Sequence, residues 1–169
     1  DYILAGEGDN IVVGGVGADT LGTGAGTDTI AGDNAQITYW PNSAQAKTAQ
    51  TLDALVDQPT WGDTIVAGDG TNVVLGGLGA DHVNDPAVSP GAAGGSGNDF
   101  VAGDNGVFNW DSARNPVSFL STELAFGGDD VILAGEGDNI VVGGVGADTL
   151  GTGAGTDTIA GDNAQITYW

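Results

Sequence analysis

The sequence predicts an all-β fold: a parallel β-solenoid built from short arrays of nine-residue rows, with lateral β-hairpins. Three observations carry this prediction. Glycine recurs at fixed intervals, an Ile, Val or Leu occupies one position in every row, and long segments of the chain repeat. Repeats of this kind bury their apolar faces only by stacking on one another, which is the architecture of a solenoid.

Composition limits the possible classes of protein. The 169 residues include 32 glycines and no cysteine, and 23 acidic against two basic residues give a net charge of −21. A nucleic-acid partner is excluded, because phosphate would be repelled everywhere. No apolar run approaches the roughly 18 residues that span a bilayer, so we expect no membrane insertion. The first residue already lies inside a row, so we expect the chain to be part of a longer protein.

The chain repeats on a long and a short scale. Residues 130–169 repeat residues 1–40 at an offset of 129 positions and differ only at Tyr2, which is Val131 in the second copy. Within this period, AGEGDNIVVGGVGADTL at 5–21 returns as AGDGTNVVLGGLGADHV at 67–83. We therefore predict three modules, at 1–61, 62–124 and 125–169, of which the last is partial.

Each nine-residue row predicts a turn followed by a short strand. Rows such as AGEGDNIVV and GGVGADTLG share Gly at the fourth position, Asp or Asn at the sixth and an aliphatic residue at the eighth. Glycine permits positive φ and lets carbonyls turn inward, while the eighth side chain points into the core. Because each row reverses the chain once, two rows form one coil, and coils stack about 4.8 Å apart.

Stacking the rows predicts metal sites along the turns. The core is thin, and its few aliphatic side chains do little to offset the ordering of so much glycine. Sixth-position carboxylates lie above one another, Asp130 near Asp148 and Asp63 near Asp81, and would repel if left bare. Ca²⁺ accepts six to eight oxygens in flexible geometry, whereas Mg²⁺ requires a tighter octahedron. We therefore predict several Ca²⁺ ions, held by side chains and by turn carbonyls.

The predicted ligands fall into three groups. The sixth-position side chains are Asn10, Asp19, Asp28, Asp63, Asn72, Asp81, Asp99, Asp130, Asn139, Asp148 and Asp157. In the GDN turns, Asp33, Asp104 and Asp162 are either further ligands or turn-forming Asx residues. The backbone carbonyls are those of Gly6, Gly8, Gly15, Gly17, Gly24, Gly26, Gly68, Gly70, Gly77, Gly79, Gly95, Gly97, Gly135, Gly137, Gly144, Gly146, Gly153 and Gly155.

Four rows match the pattern G-G-x-G-x-D-x-U-x in full: GGVGADTLG at 14–22 and again at 143–151, GGLGADHVN at 76–84 and GGSGNDFVA at 94–102. In this the chain resembles the RTX (haemolysin-type) calcium-binding nonapeptide repeat proteins. The resemblance implies a parallel β-roll, calcium-dependent folding and export from a Gram-negative bacterium through a one-step secretion channel. The short arrays, separated by aromatic segments, look like the repeat regions of very large bacterial surface proteins and adhesins.

Between the arrays the nine-residue frame stops. Strand patterns at 35–40 and 47–52, and again at 106–110 and 117–124, predict two lateral hairpins, with a helix over 44–56 as the alternative for the first. A surface loop is predicted at 85–93. The tryptophans at the ends of these segments form either an apolar cap on each array or a contact surface between modules or chains; they are Trp40, Trp61, Trp110 and Trp169.

The remaining charged residues predict little chemistry. Asp9, Asp69 and Asp138 occupy fifth positions, where we expect them to face solvent. His82 is interpreted as a surface residue. Lys47 and Arg114 lie on the hairpins and are predicted to pair weakly with the acidic rows.

The predicted function is structural. The sequence contains no H-E-x-x-H, no G-x-S-x-G, no cysteine nucleophile and no phosphate-binding loop, so we expect no enzyme. We predict a calcium-stabilised segment of an extracellular bacterial fibre, stalk or adhesin, with copies joined end to end or in tandem and lateral contacts through the Trp-rich hairpins. The alternative is the secretion and folding domain of a type I-secreted enzyme, against which the near-exact duplication argues. Ice binding would require a regular outward Thr or Asn ladder, and the outward positions are mixed.

Overall fold

The computed structural model describes residues 1–52 and 60–168, and their regular structure consists of strands. In chain order the strands are β1 (Tyr2–Leu4), β2 (Ile11–Val13), β3 (Thr20–Gly22), β4 (Thr29–Ala31), β5 (Ala35–Tyr39), β6 (Ala46–Thr51), β7 (Thr64–Val66), β8 (Val73–Gly77), β9 (His82–Val83), β10 (Phe100–Asp104), β11 (Gly106–Trp110), β12 (Pro116–Ser121), β13 (Val131–Leu133), β14 (Ile140–Gly144), β15 (Thr149–Gly151), β16 (Thr158–Asp162) and β17 (Gln165–Thr167).

Two six-stranded parallel sheets form a β-roll. The first sheet has the strand order β1-β3-β7-β9-β13-β15 and the second has the order β16-β14-β10-β8-β4-β2. Consecutive rows alternate between the two sheets, because each turn reverses the chain. Tyr2 pairs with Thr20 and Ile11 with Thr29, an offset of two nine-residue rows. The predicted all-β fold with parallel coils is confirmed.

The core of the roll consists of the eighth-position side chains. Leu21, Ile65 and Ile132 are fully buried between the two sheets, as the row pattern predicts. Their neighbours in the stack are Val and Ile from adjacent rows.

The lateral segments form a third sheet, which is antiparallel and has the order β17-β12-β11-β6-β5. The two predicted hairpins, β5–β6 and β11–β12, are present. They also pair with each other, through Thr48 and Asn109, and β17 pairs with β12. The alternative helix is wrong over 44–52, where β6 lies; residues 53–56 fall outside the described part of the chain.

A second hydrophobic core lies between the third sheet and the second sheet of the roll. Phe100 packs against Phe108 and Phe119 with ring centroids 4.8 and 4.6 Å apart. Val73 and Leu75, which flank an inward eighth position, are also buried here. The expectation of one thin core with outward-facing flanks is therefore wrong for this sheet, because the hairpins fold back over it.

Truncating this second core should destabilise the whole protein. We expect Phe119→Ala to lower the free energy of unfolding by about 3–5 kcal/mol, because a fully buried ring leaves a cavity. The control is Val117→Ala, which removes an exposed side chain of the same strand. Chemical denaturation in calcium measures both. Equal effects of the two substitutions would contradict the assignment of Phe119 to a structural core.

The described tryptophans and cations differ in their surroundings. Trp110 packs against Phe108 at 4.6 Å, and Trp40 Nε1 donates to the Asp111 carbonyl at 3.1 Å. Among the described residues Lys47 makes no ion pair with the roll; its Nζ lies 5.2 Å from the Trp40 ring centroid. Trp61 is half-buried, and Trp169 lies outside the described residues.

Arg114 and the loop at 85–93 lie as the sequence predicts. Arg114 pairs with Asp9 at 2.8 Å, as expected for a hairpin cation facing the acidic roll. Most residues of the segment 85–93 are exposed, as expected of a surface loop. Among the described residues, no helix is long and apolar enough to cross a membrane.

Candidate metal centres

The sixth-position residues stack in two columns, one along each edge of the roll, at the point where each turn enters a strand. We call the first column the Asp edge, which consists of Asp19, Asp63, Asp81, Asp130 and Asp148. We call the second the mixed edge, which consists of Asn10, Asp28, Asn72, Asp99, Asn139 and Asp157. The structure thus brings together the pairs that the sequence predicts.

In both columns, a side-chain oxygen of one residue accepts the backbone N–H of the residue stacked on it. On the Asp edge, the Asp81 N–H donates to Asp130 Oδ1 at 2.8 Å, and the Asp130 N–H donates to Asp148 Oδ1 at 3.0 Å. On the mixed edge, the Asn72 N–H donates to Asp99 Oδ1 at 2.7 Å. These bonds satisfy one carboxylate oxygen and leave the other to face the turn.

The second carboxylate oxygen is buried and lacks a hydrogen-bond partner within the described residues at Asp19, Asp28, Asp81, Asp130 and Asp148. Glycine makes room for it on the Asp edge. A Cβ on Gly103 would lie 1.9 Å from Asp130 Oδ2 and 2.7 Å from the Gly143 carbonyl oxygen. Carboxylate and carbonyl oxygens therefore converge on one small space, which is the donor set that Ca²⁺ prefers.

Burial and mutual repulsion oppose the ionisation of carboxyl groups on the Asp edge. Burial, reinforced by the charges of Asp104 and Asp148, raises the pKa of Asp130 to about 9. Burial, followed by the Asp130 charge, also raises the pKa of Asp81 well above its ordinary value. On the mixed edge, burial raises the pKa of Asp99 to about 6. A divalent cation supplies the countercharge that these groups need when ionised, so the residues fit the calcium prediction.

The GDN aspartates lie beside the Asp edge. Asp104 accepts the Gly128 N–H at 3.1 Å and also the Val145 N–H, and burial raises its pKa to about 7. Asp33 Oδ2 accepts the Leu78 N–H at 2.5 Å. These partners lie in other rows, unlike those of an Asx turn. Asp162 is exposed.

Other candidate groups stay outside these columns. The fifth-position Asp9 and Asp138 are exposed and accept turn N–H groups from the next coil. Asp69 does the same with Ser96. His82 Nδ1 lies 2.8 Å from Asp85 Oδ2, a contact that the sequence did not predict.

Carbonyl oxygens are necessary partners of the carboxylates. No group of three or more His, Cys, Asp or Glu side chains capable of holding a metal occurs in residues 1–52 and 60–168. The glycines that the sequence assigns as carbonyl ligands adopt positive φ at several turns, as at Gly70 (116°) and Gly137 (109°). This conformation, closed to most side chains, turns successive carbonyls toward the side-chain columns.

A parallel roll with buried carboxylates and glycine carbonyls along its edges defines a calcium-binding repeat protein. A model of the RTX calcium-binding nonapeptide repeat matches residues 1–34, 62–84, 92–107 and 124–159, more than half of the chain. The chain therefore belongs to this family. RTX repeats bind calcium and are typical of secreted Gram-negative proteins. No curated protein and no solved structure matches the chain.

Acidification should stabilise the calcium-free roll. The pKa of an Asp in the unfolded chain is near 3.8, whereas burial raises the pKa of Asp130 in the folded roll to about 9. Between these values the folded state binds more protons, so its stability falls as pH rises, by about 1.4 kcal/mol per pH unit for each such group. In chelator, we expect more resistance to urea at about pH 5.5 than at about pH 7.5.

Calcium affinity should change with pH in the opposite sense, because protons compete with the cation for the same oxygens. Calcium titrations at both pH values measure this, with circular dichroism as the signal. A chelated chain that is more stable at the higher pH would contradict the raised pKa values.

Proposed function

We propose that the chain is a calcium-stabilised tandem-repeat segment of an extracellular bacterial fibre, stalk or adhesin. In this function calcium folds the chain outside the cell, and the folded rows provide length and stiffness. The chain itself catalyses no reaction. Its partners are further copies of the same repeat, before or after it along the fibre.

The observation that carries the proposal is the way in which the duplicated segment continues the fold. β13 pairs with β15 through Val131 and Thr149, the same register as Tyr2 and Thr20 in the first copy. The second copy stacks directly on the middle module, since β13 pairs with β9 and β14 with β10. One repeat therefore extends the roll without an interruption.

The third sheet continues in the same way. β17 lies in a segment identical to that of β5, and it adds to the sheet beside β12. A tandem array would thus prolong all three sheets together and keep both hydrophobic cores continuous. Such continuity favours a fibre over separate folded beads on a linker.

The repeat geometry gives a measurable length. Each period of 129 residues contributes four strands to each sheet of the roll, β1, β3, β7 and β9 to the first. At the usual strand spacing, one period should lengthen the fibre by about 19 Å. Small-angle scattering of calcium-loaded chains with one, two and three periods tests this.

The expected result is a length that grows by about 19 Å per period at constant cross-section. A cross-section that grows with each period, or a length increment several times larger, would contradict the continuous fibre. A chain whose extra periods remain unfolded in calcium would instead favour the secretion and folding domain of an exported enzyme.

A further inference from the structure

Asparagine side chains on the mixed edge make contacts that the aspartates do not make. Asn10 Nδ2 donates to the Gly6 carbonyl at 3.0 Å and to the Gly8 carbonyl at 2.6 Å. Both carbonyls belong to its own turn, and both are predicted calcium ligands. The amide therefore lies where the sequence places a cation.

The same pair of contacts recurs at every sixth-position asparagine of the described residues. Their amides donate to the second- and fourth-position glycine carbonyls, from Asn72 to Gly68 at 2.9 Å and Gly70 at 3.3 Å, and from Asn139 to Gly135 at 3.0 Å and Gly137 at 3.1 Å. Recurrence in three separate arrays indicates a property of the Asn row itself.

The other end of the amide is also engaged. Asn72 Oδ1 accepts the Asp28 N–H at 3.0 Å, and Asn139 Oδ1 accepts the Asp99 N–H at 2.9 Å. This is the bond between rows that aspartate Oδ1 makes elsewhere in the columns. Oxygen and nitrogen of the side chain are thus both satisfied by the backbone.

An aspartate in the same column differs by one atom. Asp28 is almost fully buried; its Oδ1 accepts the Asn10 N–H, but its Oδ2 has no hydrogen-bond partner among the described residues. An ionised carboxylate carries no hydrogen to donate to the glycine carbonyls, and it is repelled by them unless a cation lies between. The Asn amide removes this requirement, because its N–H groups supply the positive end of the interaction.

We infer that the rows of Asn10, Asn72 and Asn139 close without calcium, and that the side-chain amide takes the place of the ion. The inference rests on the calcium binding of the family and replaces the sequence-based assignment of these three residues as ligands. Calcium then occupies the Asp edge along its whole length and the mixed edge only at the Asp rows.

Charge spacing supports this distribution. Successive carboxylates lie one coil apart on the Asp edge, about 4.8 Å, and two coils apart on the mixed edge, about 9.6 Å. Doubling the distance halves the Coulomb repulsion between neighbours. The mixed edge therefore requires less positive charge, which agrees with Asn rows that bind no calcium.

The test is to convert one asparagine row into an aspartate row. We expect Asn72→Asp to raise the calcium bound per chain by one ion, measured by equilibrium dialysis at saturating calcium. In chelator at about pH 5.5, where we expect the calcium-free roll to be more stable, the same substitution should lower the thermal midpoint, because the carbonyl contacts of the amide are lost. The matched control is Asn98→Asp, which adds the same charge at an exposed fifth position and should leave the ion count unchanged.

The reverse substitution keeps the inference testable if Asn72→Asp does not fold. We expect Asp28→Asn to remove one ion per chain and, in chelator at the same acidic pH, to raise the thermal midpoint. If Asn72→Asp tightens calcium binding without a change in the number of ions, asparagine is itself a ligand and the inference is wrong. An unchanged ion count in Asp28→Asn would overturn it as well.

Discussion

Chelation of calcium should convert the roll at neutral pH from β-structure into a largely disordered chain. Without cations, the buried carboxyl groups of Asp81 and Asp130 lie in one column, and each has a second oxygen without a hydrogen-bond partner among the described residues. Ionising them in this environment is unfavourable. Each calcium site contributes about 2.7 kcal/mol at a free concentration 100 times its dissociation constant. Several such sites together rival the 5–15 kcal/mol stability of an ordinary domain, so binding and folding become one equilibrium.

Far-UV circular dichroism during a calcium titration of the chelated chain measures this transition. We expect a cooperative gain of β-signal with calcium, and a much smaller response to Mg²⁺, which keeps its waters and requires an octahedral site. A roll that keeps its β-signal and thermal midpoint in chelator at neutral pH would show that the carboxylate columns are stable without metal.

Adding a single methyl group to one of the glycine turns should also destabilise the folded protein strongly. A Cβ on Gly70 would lie 1.8 Å from the Gly26 carbonyl oxygen, and the residue has a φ of 116°. Gly70→Ala therefore combines a backbone clash with a conformation that alanine disfavours. We expect a loss of about 3 kcal/mol or more in the free energy of unfolding in calcium.

Gly161→Ala is the matched control, because a Cβ at Gly161 meets no atom within 4 Å. We expect a change within about 0.5 kcal/mol there. Urea denaturation in saturating calcium compares the two variants. A small effect at Gly70 would mean that neighbouring rows separate easily, and the tight stacking of the turns would be refuted.

The roll itself is predictable from the sequence because its rules are local. The nine-residue row fixes which residue turns, which points inward and which stacks, so Leu21 and Ile65 could be assigned to the core from their positions alone. The two-row offset follows from the same count. Carboxylate pairs such as Asp130 and Asp148 are brought together for that reason.

The third sheet could not be predicted in the same way. Pairing of Thr48 with Asn109 joins strands from separate modules, and no local pattern specifies such a partner. The burial of Val73 and Leu75 follows from that pairing and was missed with it. The aromatic residues of the hairpins did indicate packing against another surface, because side chains such as Phe108 and Phe119 favour burial.

The distinction between the two edges could not be predicted from the sequence either. In a sequence pattern, Asn and Asp at the sixth position are equivalent oxygen ligands. Their difference depends on whether the second side-chain atom can donate to the glycine carbonyls, which requires the geometry of the turn. Asn72 makes the difference visible, because its nitrogen faces the Gly68 and Gly70 carbonyls.

The bonds that link the sixth-position residues within each of the two columns run in one sense along the chain. A backbone N–H of the earlier row donates to a side-chain oxygen of the later row, as from Asp19 to Asp63 and from Asp99 to Asn139. Any stack of such rows is consequently a polymer with polarity. In these columns, one end of a stack presents side-chain acceptor oxygens and the other presents backbone N–H donors, so two stacks match head to tail.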